Sequence, residues 1–181
     1  MYEIKLVGRA GQGVVTAANI IVYAAVVEGK FGCSLPHFGF EREGAPVVSY
    51  VRISNKKIRK KTRVYKPDCV VVFDENLLDL PDVLHHLKNG GTLIVNSTKT
   101  PAALNLSNNS KIKKLGIVDA SGLALRYLDR PILSSPMLGA FVATTKIVRV
   151  ESIVNRIQQL FGTKNSELVV KGYESTKIIE V

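Results

Sequence analysis

Short apolar runs separated by polar, glycine-bearing breaks mark out this chain, and the period of each run predicts its element. Tyr2 to Val7 alternates in polarity and predicts a strand. Gly8-Arg9-Ala10-Gly11-Gln12-Gly13 breaks that pattern, and Val14 to Glu28, apolar on nearly every side, predicts a buried helix. Ala45 to Ile53 is rich in β-branched and aromatic residues. Ser54-Asn55 then offers a turn before a second extended stretch, Lys57 to Tyr65, so a hairpin is expected. Cys69 to Phe73 is continuously apolar, the pattern of a strand covered on both faces.

Leu77 to Leu87 predicts a helix, with Pro81 suited to its first turn and Gly90-Gly91 beyond its end. Thr92 to Val95 predicts another buried strand. The stretch from Asn96 to Lys114 is a polar connection, Gly116 to Asp119 is strand-like, and Leu123 to Leu128 is helical. Ile153, Val154, Ile157, Leu160 and Phe161 recur at helical spacing, opposite Asn155, Arg156, Gln158 and Gln159. Strands alternating with helices predict an α/β fold: a doubly wound, mostly parallel sheet with an antiparallel edge hairpin and C-terminal helices. With 181 residues, 46% of them hydrophobic, the chain reads as a single domain over residues 1–181.

The longest apolar stretch, Ala17 to Val27, is interrupted by Asn19 and is well short of the roughly 20 residues a membrane span needs. Without a secretory pattern at the N-terminus, a cytoplasmic location and no membrane partner are expected. Cys33 and Cys69 are the only cysteines, in no metal-binding spacing, so this chain cannot supply four thiolates to a cluster. Cys69 reads as core and Cys33 as a loop thiol.

A formal charge of +10 changes the picture less than its distribution does. Eight basic residues, Arg52, Lys56, Lys57, Arg59, Lys60, Lys61, Arg63 and Lys66, fall between Gly44 and Pro67 with no acid among them. A solvated, lysine-protected edge strand accounts for them, as does docking on an acidic protein or anionic ligand. No base-stacking aromatics interleave the run, and no nucleic-acid partner is expected.

Ligands on such sheets bind at the carboxyl ends of the strands, the position of the loop Gly8 to Gly13. Glycines there let backbone amides face an anion at a helix N-terminus. The spacing Gly8-x-x-Gly11-x-Gly13 is not the dinucleotide fingerprint, and residues 29 to 40 hold no ribose-binding acid. Val14 and Val15 stand where a phosphate-cradling loop needs lysine and a hydroxyl. Close strand–helix packing, anion binding and partner contact all remain open for these glycines. The loop from Pro36 to Pro46 mixes aromatics, charges and turn-formers as a subunit contact does. His37 lacks a visible acid partner, His85-His86 read as helix surface, and no catalytic residue or metal ligand is assigned.

Four blocks carry a family resemblance. Gly8-Arg9-Ala10-Gly11-Gln12-Gly13-Val14-Val15-Thr16-Ala17-Ala18 resembles the N-terminal signature of the gamma subunit of 2-oxoacid:ferredoxin oxidoreductases. Phe38 to Pro46, Pro67 to Asp74, and Met137-Leu138-Gly139-Ala140-Phe141 are similar to its later motifs, in the same order. Ala10 stands where the family usually has glycine, and Glu43 where it usually has arginine. Gly8-Arg9, Glu41-Arg42 and Gly44-Ala45-Pro46 look more like the pyruvate or branched-chain branch than the 2-oxoglutarate branch.

The resemblance implies a holoenzyme that converts a 2-oxoacid, most simply pyruvate, with coenzyme A and oxidised ferredoxin to acyl-CoA, carbon dioxide and reduced ferredoxin. Thiamine diphosphate, magnesium and iron-sulfur clusters would sit on companion alpha, beta and delta subunits, the last ferredoxin-like. Gly8, Arg9, Gly11, Gln12 and Gly13 would face coenzyme A or the thiamine-bearing subunit. Phe38, Gly39, Glu41, Arg42, Gly44, Ala45 and Pro46 would make the main intersubunit loop, with the basic hairpin as a helper for coenzyme A. The rival reading is a stand-alone α/β module that binds a phosphoanion or nucleotide.

Overall fold

In the computed structural model, residues 1–37, 46–106, 109–128 and 132–180 are described. β1 (Tyr2–Arg9) leads through the glycine loop into α1 (Val14–Val27). β2 (Phe31–His37) and β3 (Pro46–Ser54) follow, then β4 (Cys69–Val72). A 3-10 turn (Glu75–Asp79) and the short α2 (Pro81–Leu84) lead to β5 (Gly91–Asn96) and β6 (Ile112–Val118). The chain ends with α3 (Ala120–Leu128), α4 (Ser134–Thr145), α5 (Val150–Phe161), α6 (Thr163–Ser175) and β7 (Lys177–Glu180).

The strands form one sheet in the order β2-β3-β1-β4-β5-β6-β7. β1, β4, β5 and β6 run parallel, and both flanks are antiparallel, β2-β3-β1 on one side and β6-β7 on the other. The expected parallel centre with an antiparallel edge is therefore present. β4 shows why its run is continuously apolar: Cys69, Val71 and Phe73 enter a core shared with α1 and α4, while Val70 and Val72 enter a second core with Leu77, Val83 and Leu87.

Four expectations are corrected. The outer strand of the antiparallel edge is β2, not Lys57 to Tyr65, because β1 and β2 already occupy both sides of β3. Cys33 consequently lies on a strand rather than in a loop. The helix expected over Leu77 to Leu87 is broken: Leu80, at φ −75° and ψ 126°, is extended between the 3-10 turn and α2. Pro81 disfavours helical backbone in the residue before it, so it starts a new turn instead of continuing one. On α5, Ile153 and Ile157 are buried, but Leu160 and Phe161 are 46% and 47% exposed. Their spacing placed them on an apolar stripe that the fold does not cover.

α4 is buried along almost its whole length, because glycines on its neighbours and on itself let backbones approach. A Cβ on Gly139 would collide with the Val169 carbonyl and the Tyr173 amide of α6, and one on Gly172 with the Pro136 carbonyl. The fourth sequence block is thus a helix-crossing motif. No helix among the described residues is long and apolar enough to cross a membrane.

Candidate functional site

The carboxyl ends of β1, β4, β5 and β6 meet at one rim of the sheet. Strand β1 turns away toward β3 and β2, and β4 begins the run in the other direction, so this rim holds the topological switch point. A cleft of about 320 Å³ opens here, lined by Gln12 after β1, Asp74 and Glu75 after β4, Asn96 and Ser97 at the end of β5, and Asp119 after β6. Asn96 fixes the floor. Its amide donates to the Phe73 carbonyl at 2.9 Å and to the Ser121 hydroxyl at 2.9 Å, and its oxygen accepts from the Ser121 amide at 3.2 Å.

The glycine loop is closed on itself by Gln12. Its Oε1 accepts from the Arg9 amide at 2.7 Å, and its own amide donates to the Arg9 carbonyl at 3.2 Å. Arg9 Nε donates to Asp74 Oδ2 at 2.5 Å, which ties the loop to the end of β4. Burial works to raise the Asp74 carboxyl, but the Arg9 hydrogen bond and two from Asn76 outweigh it and hold it below its ordinary value. Glu75 is also held low, by Lys99 at 2.5 Å and by the Ser97 hydroxyl. The cleft's acids are therefore matched to Arg9, Lys99 and the more distant Arg126 of Asp119.

The outer side of the same loop is different in chemistry. Arg9, Ala10, Gly11, Gly13, Val14, Val15, Thr16 and Val47 line a shallow hollow of about 380 Å³, with no carboxylate among its described lining residues. It lies at the N-terminus of α1, a 14-residue helix with no acidic residue in its first turn and, among the described residues, no side-chain cap. Those amides and the positive end of the helix dipole favour an anion.

Each predicted loop residue finds a place. Gly11 and Gly13 both have φ +86°, the left-handed region that favours glycine, and a Cβ on Gly13 would meet Ser134 of α4 at 2.9 Å. Gly8 lines neither cavity; a Cβ there would lie 2.6 Å from Val14 and 2.8 Å from Phe73, so its role is close strand–helix packing. Arg9, Gly11 and Gly13 face the hollow, and Gln12 the cleft. Ala10 is absent from the positive-φ residues, so the alanine departure costs the loop no strain.

Of the expected subunit loop, Phe38, Gly39, Glu41, Arg42, Gly44 and Ala45 lie outside the described residues. Pro46 is described: it is exposed and opposes Arg9 in the β1-β3 register, and His37 opposes Val48. The Pro46 flank of that segment thus stands beside the glycine loop, and the His37 flank lies one strand further out. Cys69 is fully buried on β4, where desolvation pushes its thiol up, out of nucleophilic range. Sequence reasoning missed the cleft residues Asn96, Ser97 and Asp119, whose one signal was their place immediately after apolar strand runs.

An α/β sheet with a glycine loop at its switch point defines a ligand-facing or partner-facing domain of the doubly wound class. The family is more definite. Residues 3–175 match the pyruvate ferredoxin/flavodoxin oxidoreductase family, and the chain belongs to it, as the four sequence blocks implied. It is 45% identical to the pyruvate/ketoisovalerate oxidoreductases common subunit gamma of Pyrococcus furiosus, over the whole of both chains. It is 43% identical to pyruvate synthase subunit PorC of Methanothermobacter marburgensis, over 98% of each. The crystal structure of pyruvate oxidoreductase subunit PORC from Thermotoga maritima superposes with a TM-score of 0.87 at 36% identity, covering 99% of this chain and 98% of that one. The chain is a gamma-type subunit of a 2-oxoacid oxidoreductase.

Proposed function

We propose that this chain serves in a pyruvate-type 2-oxoacid:ferredoxin oxidoreductase, where its glycine loop presents the outer hollow to coenzyme A beside a companion subunit. The observation that carries the reading is the hollow at the α1 N-terminus, with Arg9 on its rim and no acid among its described lining residues. Backbone amides, helix dipole and guanidinium there match the phosphates of coenzyme A. Arg9 is oriented by Asp74, and the Gln12 bridge holds the loop in its left-handed turns. The segment between His37 and Pro46 would contact the companion chain.

Companion alpha, beta and delta subunits would carry thiamine diphosphate with magnesium and the iron-sulfur clusters, and thiamine would supply the carbanion chemistry when bound there. This chain's own part is to position coenzyme A and to exclude water from the joint. Pyruvate is favoured by the relatives with pyruvate in their names. Because the Pyrococcus relative is a subunit common to pyruvate and ketoisovalerate enzymes, choice of 2-oxoacid would rest with the companions.

The test is anaerobic isolation of the assembled complex and coenzyme-A-dependent dye reduction with pyruvate, 2-oxoisovalerate and 2-oxoglutarate. Co-purifying companions and a pyruvate preference are expected, and Arg9→Ala should raise the KM for coenzyme A with kcat little changed. A solitary, inactive chain would instead support the phosphoanion-binding module, and an unchanged KM in a fully assembled Arg9→Ala complex would remove Arg9 from the coenzyme site.

A further inference from the structure

A smaller cavity, about 150 Å³, lies on the β1-β3 surface and shares no residue with the glycine-loop hollow. Its polar lining comes from four separate places: Lys5 on β1, Tyr50 on β3, Arg63 and Tyr65 from the chain after β3, and Asp82 and His86 in and after α2. Lys5 and Tyr50 are direct cross-strand partners, so their side chains rise from the same face of the sheet.

Lys5 is 8% exposed. Its Nζ donates to the Asp82 backbone carbonyl at 2.6 Å, and no ion pair among the described residues includes it. An ammonium has three donors, and a buried charge with a single neutral acceptor is costly unless another partner arrives. Burial pushes the amine below its ordinary value; the Asp82 carboxylate opposes that shift, and Arg63 adds to it by a smaller amount.

Arg63 is placed by the core. Arg52, 3% exposed, donates from Nη2 to the Arg63 carbonyl at 3.1 Å and from Nη1 to the Thr62 carbonyl at 2.6 Å, while its Nε pairs with Glu3 at 2.8 Å. The Arg63 guanidinium then stacks 4.6 Å over the Tyr65 ring. Two cations converge on a small cavity with one carboxylate, Asp82, at its edge. With Lys5 as ammonium the net charge is +1, which matches a monoanion better than a phosphate dianion. Val64 and Pro67 add an apolar wall.

We propose that this cavity binds a small monocarboxylate, its carboxylate between Lys5 and Arg63 and its alkyl end against Val64 and Pro67. The size agrees: a cavity of about 150 Å³ accommodates a six-carbon ring, so an acid of about two to four carbons fits. Occupancy would clamp the chain after β3 onto β1, through two cations that otherwise repel each other.

The full chain, labelled at lysine and tyrosine, is titrated with acetate and propionate and followed by NMR, with chloride and inorganic phosphate at matched ionic strength. Saturable shifts at Lys5 and Tyr50, an upward move of the Lys5 titration, and half-saturation raised about tenfold or more in Arg63→Gln are expected. Because Arg63 is exposed, that variant keeps the fold; Lys5→Met, where it folds, should abolish the response. Shifts that do not saturate, that chloride reproduces, or that Arg63→Gln leaves unchanged overturn the site. Phosphate binding as tight as acetate overturns the carboxylate preference.

Discussion

Arg9 and Asp74 lie 65 residues apart in sequence and 2.5 Å apart in space, joining the glycine loop after β1 to the end of β4 across the switch point. Because the pair lowers the Asp74 carboxyl, its contribution is fully present above the ordinary value of 3.8 and is lost as pH falls through the lower folded value. Asp74→Asn should therefore cost about 1 kcal/mol at neutral pH, Arg9 being partly exposed, and should flatten the acid limb of stability. Urea midpoints measured from pH 7 down to pH 2 check both effects, and an unaltered acid limb would sever Asp74 from them.

Gly11 and Gly13 share a φ of +86° but not an environment, since no described residue lies within 4 Å of a Cβ on Gly11 while Ser134 crowds one on Gly13. Gly11→Ala should cost only the left-handed backbone, about 1–2 kcal/mol. Gly13→Ala should cost that and a further ~1–3 kcal/mol of overpacking against α4. Equal losses in thermal unfolding would mean that Ser134 moves aside freely.

Glu28, at the end of α1, accepts from the Arg149 amide at 2.7 Å and the Ser152 hydroxyl at 2.8 Å, capping the start of α5 from a distant element. Burial opposes its ionisation, yet these bonds and Lys30 hold its carboxyl below the ordinary value of 4.5. Its stabilisation is thus present above that value and fades as pH drops through the folded one. Glu28→Ala should cost about 1–2 kcal/mol at pH 7, comparable to loss of a helix cap, and hydrogen exchange should quicken first in the opening turn of α5.

Arg52 is the device that orders the basic stretch, through bonds to its carbonyls and to Glu3. Arg52→Met should cost about 3–5 kcal/mol because Glu3 and the carbonyls lose their partner. Arg52→Lys should recover little, since a point charge does not reproduce the fork of donors. Denaturant melts of the two variants test this, and wild-type stability in Arg52→Lys would count against it.

Gly139 and Gly172 set the α4–α6 crossing, each with backbone of the facing helix where a Cβ would sit. Either alanine variant should lose about 1–3 kcal/mol, or about 2–4 °C of Tm for each kcal/mol. A Tm equal to that of the unaltered chain in Gly139→Ala would show that the helices separate without cost.

The strands β1, β4 and β5 and the helix α1 were legible because each is a local apolar run whose length and period match its element. The glycine loop was legible for the same reason, by its punctuation and place. β2 was not, since Phe31 to His37 is half-buried on both faces, holds Gly32 and Pro36, and has no alternation to read. The β3 partner was misassigned because strand pairing is a choice among distant segments, and Lys57 to Tyr65 was simply the nearest candidate.

By itself, the sequence determined which segments are strand or helix where burial is strong, where the glycine loop falls, and, through four ordered blocks, the family. Only the tertiary structure decided that Gly8 and Gly139 serve packing, that Arg9 pairs with Asp74, that Arg52 shapes the basic stretch, and that Lys5 and Arg63 converge on one cavity. Those relationships join residues up to 65 positions apart, as between Arg9 and Asp74. A local hydrophobic period carries no information about which distant polar group will meet a buried charge, and the close packing of the folded sheet and helices settles it.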